Sequence, residues 1–192
     1  MTDYRFKVLL LGEGSVGKTS LLYQFVKGKF SSNYQITIGA NFLSKDVQFS
    51  KKNEANLVIW DIAGQYAKFE RFHKQFYKNA NGALIVFDLT RPKTFDAVDK
   101  WHSEMEEILG KDVPFVLIGN KADLIGDFNR EIDVKASQDY AESRGSIYIE
   151  TSAKTGENVE DAFLQLTRKI AGMDPLEEER KQKRKKKRKW RR

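Results

Sequence analysis

Short apolar runs rich in β-branched residues alternate along this chain with longer stretches in which apolar positions return every three or four residues. The runs Phe6–Leu11, Phe42–Phe49, Asn56–Ile62, Ala83–Asp88, Val113–Gly119 and Ile147–Thr151 read as strands. The stretches 18–27, 69–79, 94–109, 134–144 and 158–171 carry helical spacing. This alternation predicts βα units on a mostly parallel sheet with helices on both faces. Phe42–Phe49 and Asn56–Ile62, joined by the polar Ser50-Lys51-Lys52-Asn53-Glu54, read as a hairpin. The expected fold is therefore α/β, a mostly parallel six-stranded sheet with one antiparallel edge strand.

Ligands of open α/β sheets sit beyond the carboxyl ends of strands, so the residues after each run are where chemistry is expected. After the first run comes Gly12-Glu13-Gly14-Ser15-Val16-Gly17-Lys18-Thr19, leading into a helical stretch that opens with Ser20. This is the spacing of a phosphate-binding loop in its expected strand-to-helix context. Glycines let successive N–H groups from Gly14 to Ser20 close on phosphate oxygens, and the helix N-terminus adds partial positive charge. Lys18 can reach β and γ phosphates, and the Thr19 hydroxyl suits a hard cation such as Mg²⁺. The competing reading is a glycine-rich turn that binds nothing.

Three further strand ends are chemically marked: Asp61-Ile62-Ala63-Gly64-Gln65, Asn120-Lys121-Ala122-Asp123 and Thr151-Ser152-Ala153-Lys154. An Asp123 carboxylate can accept two hydrogen bonds from the ring N–H and exocyclic amine of guanine, a donor pair that adenine lacks. Taken alone, Asn-Lys-x-Asp could equally be an ordinary turn.

These segments, in this order and at these intervals, resemble the Ras superfamily of small GTPases over about residues 4–172. Thr37-Ile38-Gly39-Ala40-Asn41-Phe42, Trp60-Asp61-Ile62-Ala63-Gly64-Gln65 and Glu150-Thr151-Ser152-Ala153-Lys154 are most similar to its Rab branch. The resemblance implies a three-layer P-loop GTPase fold, the G domain, over 1–173, with a basic tail at 174–192. It implies GTP and GDP as ligands, Mg²⁺ held by Thr19, Thr37 and, through water, Asp61, and Gln65 orienting the attacking water beside Lys18 and Gly64. Phe30 would cover the base, Lys121 would lie along its face, and the Ala153 N–H, flanked by Ser152 and Lys154, would meet its carbonyl. Residues 31–42 and 64–79 would be the switches on which effectors, exchange factors and GTPase-activating proteins act. Phe42, Trp60 and Phe76 match the aromatic trio shown to effectors, the competing reading being ordinary core packing. Ile62, where the family usually has Thr, and Tyr66, where it has Glu, alter that surface, and the second switch is one residue longer than usual. No arginine stands in an obvious position to assist hydrolysis in cis, so slow intrinsic turnover is expected. The rival is a non-cycling GTP-binding scaffold or a nucleic-acid-associated module.

Composition changes this picture in two ways. The chain has no cysteine, so disulfides and thiolate metal sites are excluded and no prenylation is expected for this chain, and His73 and His102 stand in no metal-ligand spacing. With no secretory layout at Met1-Thr2-Asp3-Tyr4, a cytoplasmic, monomeric protein is expected. The formal charge is +7, yet the last sixteen residues hold eleven Lys or Arg against three Glu, which leaves −1 for residues 1–176. Asp174-Pro175-Leu176-Glu177 reads as a helix start before this run. Three readings of residues 180–192 stand: an idle solvated segment, a tether to an anionic membrane surface favoured by Trp190, and a nucleic-acid contact, the least favoured because aromatics are not interleaved.

Overall fold

In the computed structural model, residues 2–31, 37–64, 75–110, 113–126 and 131–173 are described. The strands are β1 (Thr2–Leu11), β2 (Ala40–Gln48), β3 (Asn53–Ile62), β4 (Gly82–Asp88), β5 (Phe115–Asn120) and β6 (Tyr148–Thr151). They form one sheet in the order β2-β3-β1-β4-β5-β6, in which only the β2–β3 pair is antiparallel. The helices are α1 (Lys18–Lys27), α2 (Pro92–Asp96), α3 (Val98–Leu109), α4 (Val134–Ser143) and α5 (Val159–Ile170). The expected architecture is the one observed.

Alternation along β1 builds both faces at once. Val8 and Leu10 enter one apolar cluster with Leu21, Phe25, Phe163 and Leu166 of α1 and α5. Leu9 and Leu11 enter the other with Trp101, Met105 and Ala141 of α3 and α4. Every residue of β4 is buried, as expected of a parallel strand covered on both sides. Phe25 and Phe163 stack at 3.9 Å, fixing α1 against α5. Burying each such side chain contributes about 1.5–3 kcal/mol relative to exposure.

Most strand boundaries shift by one or two residues, and the larger departures from the sequence reading are three. β3 begins at Asn53, and β1 begins at Thr2 because the two strands pair in parallel register from Thr2↔Asn53 onward. The single helix expected over 94–109 is two, parted at Ala97. Pro92 stands in the first turn of α2, and the Thr94 hydroxyl donates back to the Arg91 carbonyl at 2.7 Å, so this turn is tied to the strand end rather than to α3. Of the helix expected over 69–79, residues 75–77 are helical, while 65–74 lie outside the described residues. The helix start expected at Asp174 and the basic run after it also lie outside them.

Chain order reverses at β1, which continues through β2 and β3 on one side and β4 to β6 on the other. The crevice beyond its carboxyl end is the topological switch point, the usual ligand position in such sheets.

Candidate functional site

Beyond β1 the backbone turns through left-handed residues, with φ of 134° at Gly12, 63° at Ser15 and 101° at Gly17. Gly17 is required here: a Cβ would stand 2.3 Å from Asn120 Nδ2. Gly64 is equally confined, since a Cβ would come within 2.4 Å of the Glu13 carbonyl carbon. Gly17 also caps α1, whose first turn holds no acidic residue, so its N-terminal dipole is not offset locally. Lys18, 6% exposed, donates its Nζ to the carbonyls of Gly12 at 2.6 Å and Glu13 at 2.9 Å. Burial pulls the Lys18 ammonium down to about 8, against the attraction of Asp61 and Glu13.

That depression has a sign. Below pH 8 the folded protein carries a charged, desolvated Lys18, and ionisation favours the unfolded state up to its ordinary value of 10.5, so nucleotide-free stability rises between about pH 8 and 10.5. An anionic ligand that needs the charged form must therefore drive proton uptake above pH 8. Titration calorimetry in buffers of different ionisation enthalpy is expected to count up to about one proton taken up per nucleotide at pH 9, and markedly fewer at pH 7. Equal proton counts at both pH values would contradict this.

Three oxygens gather at the start of α1. The Thr19 hydroxyl donates to Asp61 Oδ2 at 2.5 Å and lies 2.8 Å from the Thr37 hydroxyl. Asp61 is fully buried, and its Oδ1 has no hydrogen-bond partner among the described residues. Burial pushes its carboxyl up, against bonds from Thr19 and Thr37 and the charge of Lys18. A buried carboxylate oxygen without a partner, beside two hydroxyls, suits a hard cation that takes oxygen ligands. Among the described residues no cluster of three His, Cys, Asp or Glu is assembled.

The other wall is built from the ends of β5 and β6. Asn120, 1% exposed, donates Nδ2 to the Val16 carbonyl at 2.9 Å and accepts at Oδ1 from the Thr151 hydroxyl at 3.1 Å and the Ala153 N–H at 3.2 Å. It clasps the phosphate loop to the β6 loop. The Ala153 N–H, expected to meet a base carbonyl, is thus directed at Asn120, and a base would have to share or redirect it. Asp123 accepts from the Ser152 hydroxyl at 2.6 Å, with Lys154 Nζ 3.8 Å away. Lys121 takes a left-handed φ of 70° and sets its Nζ 2.6 Å from Asp88 Oδ2.

A cavity of about 1160 Å³ joins these walls, lined at one end by Gly14, Ser15, Lys18, Thr19 and Ser20 and at the other by Asn120, Lys121 and Asp123, with Phe30, Thr37, Gly64, Ala153 and Lys154 around it. Val16 and Ser152 are buried behind it. Gln65 lies outside the described residues. The aromatic trio is contiguous: Phe42, 59% exposed, stacks on Trp60 at 5.2 Å, and Trp60 lies 6.0 Å from Phe76. Phe42 is therefore surface rather than core. Ile62, expected to alter the regulator surface, is instead fully buried in the second apolar cluster, which accounts for an apolar residue there and leaves it no exposed face.

The strand end that the sequence reading passed over is that of β4. Asp88 is fully buried; burial would raise its carboxyl, yet bonds from Lys121, Thr90 and Arg91 prevail and hold it below the usual range. Trp101 Nε1 donates to Glu13 Oε1 at 3.2 Å, a second tie between the phosphate loop and the α3 side. Asp88-Leu89-Thr90-Arg91 directly after an apolar run was the signal available for the first of these.

The sequence model of the Ras family matches residues 7–172. The chain belongs to the Ras family. It is 38% identical over 181 residues to Ras-related protein Rab-21 of Homo sapiens, covering 93% of this chain and 77% of that protein. It is 42% identical over 177 residues to Ras-related protein Rab7 of Cenchrus ciliaris, covering 90% and 85%. To GTP-binding protein yptV5 of Volvox carteri the identity is 41%, with the same coverage. This Ras-family chain is thus a Rab-like small GTPase, a guanine-nucleotide switch that hydrolyses GTP. Among its described residues no helix is long and apolar enough to cross a membrane.

Proposed function

We propose that the cavity between the phosphate loop and Asp123 holds GTP or GDP with Mg²⁺, and that the protein cycles between the two states at membrane surfaces in vesicle trafficking. The observation that carries this is the single cavity with Lys18 and Thr19 at one end and Asn120, Lys121 and Asp123 at the other. Lys18 and the N–H groups of residues 14–20 bind the phosphates; Asp123 accepts from the guanine edge, with Phe30 covering it and the Lys121 stem along its face. Thr19, Thr37 and Asp61 hold the cation, which when bound neutralises charge on the β and γ phosphates. Thr37 belongs to a loop that engages only while a γ-phosphate is present, so its release after hydrolysis is the switching event.

Gln65, directly after Gly64, orients the attacking water. Single-turnover GTP hydrolysis is expected to fall roughly tenfold or more in Gln65→Leu, with GDP affinity unchanged. Equal rates would remove Gln65 from the mechanism. Exchange factors, GTPase-activating proteins and effectors act on residues 31–42 and 64–79, effectors through Phe42, Trp60 and Phe76.

In this reading the G domain is assigned to 1–173, and the basic run 180–192 adds an electrostatic hold on anionic membranes at about 1 kcal/mol per Lys or Arg. Cosedimentation with anionic vesicles is expected to be strong at low salt, lost at high salt and absent with neutral vesicles. Salt-independent binding, or none, would remove the tether.

A further inference from the structure

Arg91, the first residue after the β4 turn, reaches in two directions. Its Nε donates to Asp88 Oδ2 at 2.8 Å, and its Nη2 donates to the Gly14 carbonyl at 3.0 Å, across 77 residues of sequence. Asp88 Oδ2 also receives Lys121 Nζ at 2.6 Å, while Oδ1 receives the Thr90 N–H at 3.0 Å and the Thr90 hydroxyl at 2.7 Å. One fully buried carboxylate therefore joins the lysine of the base wall to an arginine that holds the phosphate loop. The planar guanidinium makes this possible, since its separate N–H groups diverge at fixed angles and serve two acceptors at once.

The consequence for the loop follows from peptide geometry. In a trans peptide the carbonyl and the next N–H point in opposite directions. With the Gly14 carbonyl held on Arg91, the Ser15 N–H is turned away from Arg91, on the side where Gly14 and Ser15 line the cavity. Ser15 itself has φ of 63°, a conformation that residues with a side chain adopt only when their surroundings hold them there. We infer that Arg91 is a positioning residue for phosphate recognition: it clasps the Gly14 peptide to Asp88, holds the phosphate loop in its anion-binding form, and so sets how long a nucleoside di- or triphosphate stays bound. This rests on the nucleotide reading of the cavity.

The test uses the full-length chain loaded with fluorescent GDP and chased with excess unlabelled GDP in Mg²⁺, together with displacement by GMP, which lacks the second phosphate. Arg91→Ala is expected to release GDP at least tenfold faster and to weaken GDP without weakening GMP. Arg91→Lys retains a cation for Asp88 but cannot fork to Gly14, so it is expected to keep the melting temperature of the wild type and still release GDP fast. Equal weakening of GMP and GDP would mean a general loosening of the fold and overturn the inference. Release within twofold of wild type in Arg91→Ala, or full rescue by Arg91→Lys, would overturn it too. If Arg91→Ala fails to fold, Arg91→Lys alone decides by its release rate. Failure of the wild type to retain fluorescent GDP would overturn the nucleotide reading itself, a result separable from all of these.

Discussion

Asp123→Asn is expected to lower GDP affinity by about 10⁴-fold while creating affinity for xanthosine diphosphate. The carboxylate offers two acceptors and no donor, which matches the ring N–H and amine of guanine. An amide offers one acceptor and one donor, which matches xanthine, where a carbonyl replaces that amine. Sites built to hydrogen-bond a particular edge reject the wrong one by 10⁴ to 10⁵, because buried polar groups are left unpaired. The support of the side chain survives the exchange: the Ser152 hydroxyl, now donating to Asp123 Oδ1 at 2.6 Å, can donate to the amide oxygen. Competition binding with both diphosphates measures the switch, and unchanged preference for GDP would remove Asp123 from base recognition.

Gly17→Ala is expected to be strongly destabilising. The backbone there has φ of 101°, and the new Cβ would lie 2.3 Å from Asn120 Nδ2. Asn120 cannot move aside cheaply, since it holds the Val16 carbonyl, the Thr151 hydroxyl and the Ala153 N–H together. Backbone strain of about 1–3 kcal/mol and broken buried hydrogen bonds of about 1–3 kcal/mol add to about 2–6 kcal/mol. A domain of this size should then melt about 4–24 °C lower. Gly28→Ala is the control: φ is 60° there, but nothing lies within 4 Å of the added carbon. It carries conformational strain alone, about 1–2 kcal/mol, for a fall of about 2–8 °C. Equal effects of the two substitutions would show that the Asn120 clasp contributes nothing.

The residues most legible in the sequence are those whose role lies in local backbone and side-chain type. Gly12 to Thr19 and Asn120 to Asp123 announce themselves because the glycines, the lysine and the carboxylate do their work within a few residues of chain. β4 and β5 were legible for a similar reason, as apolar runs buried on both faces carry a dense signal. Strand lengths were less so: Thr2 and Asp3 extend β1 because Asn53 and Glu54 lie beside them, a fact of pairing and not of their own side chains. The break at Ala97 is likewise invisible in a helical period that continues across it.

By itself, the sequence determined the α/β alternation, the hairpin at the edge and the family to which the Gly12–Thr19 and Asn120–Asp123 segments point, since each is written in contiguous residues. Tertiary structure alone decided that Asp88 joins Lys121 to Arg91, that Arg91 holds Gly14, that Glu13 meets Trp101 and that Asp61 keeps an oxygen without a partner beside Thr19 and Thr37. The physical reason is distance along the chain. A hydrogen bond spanning 77 or 88 residues depends on how the parallel sheet aligns its strand ends, and no local pattern of polar and apolar positions encodes that alignment.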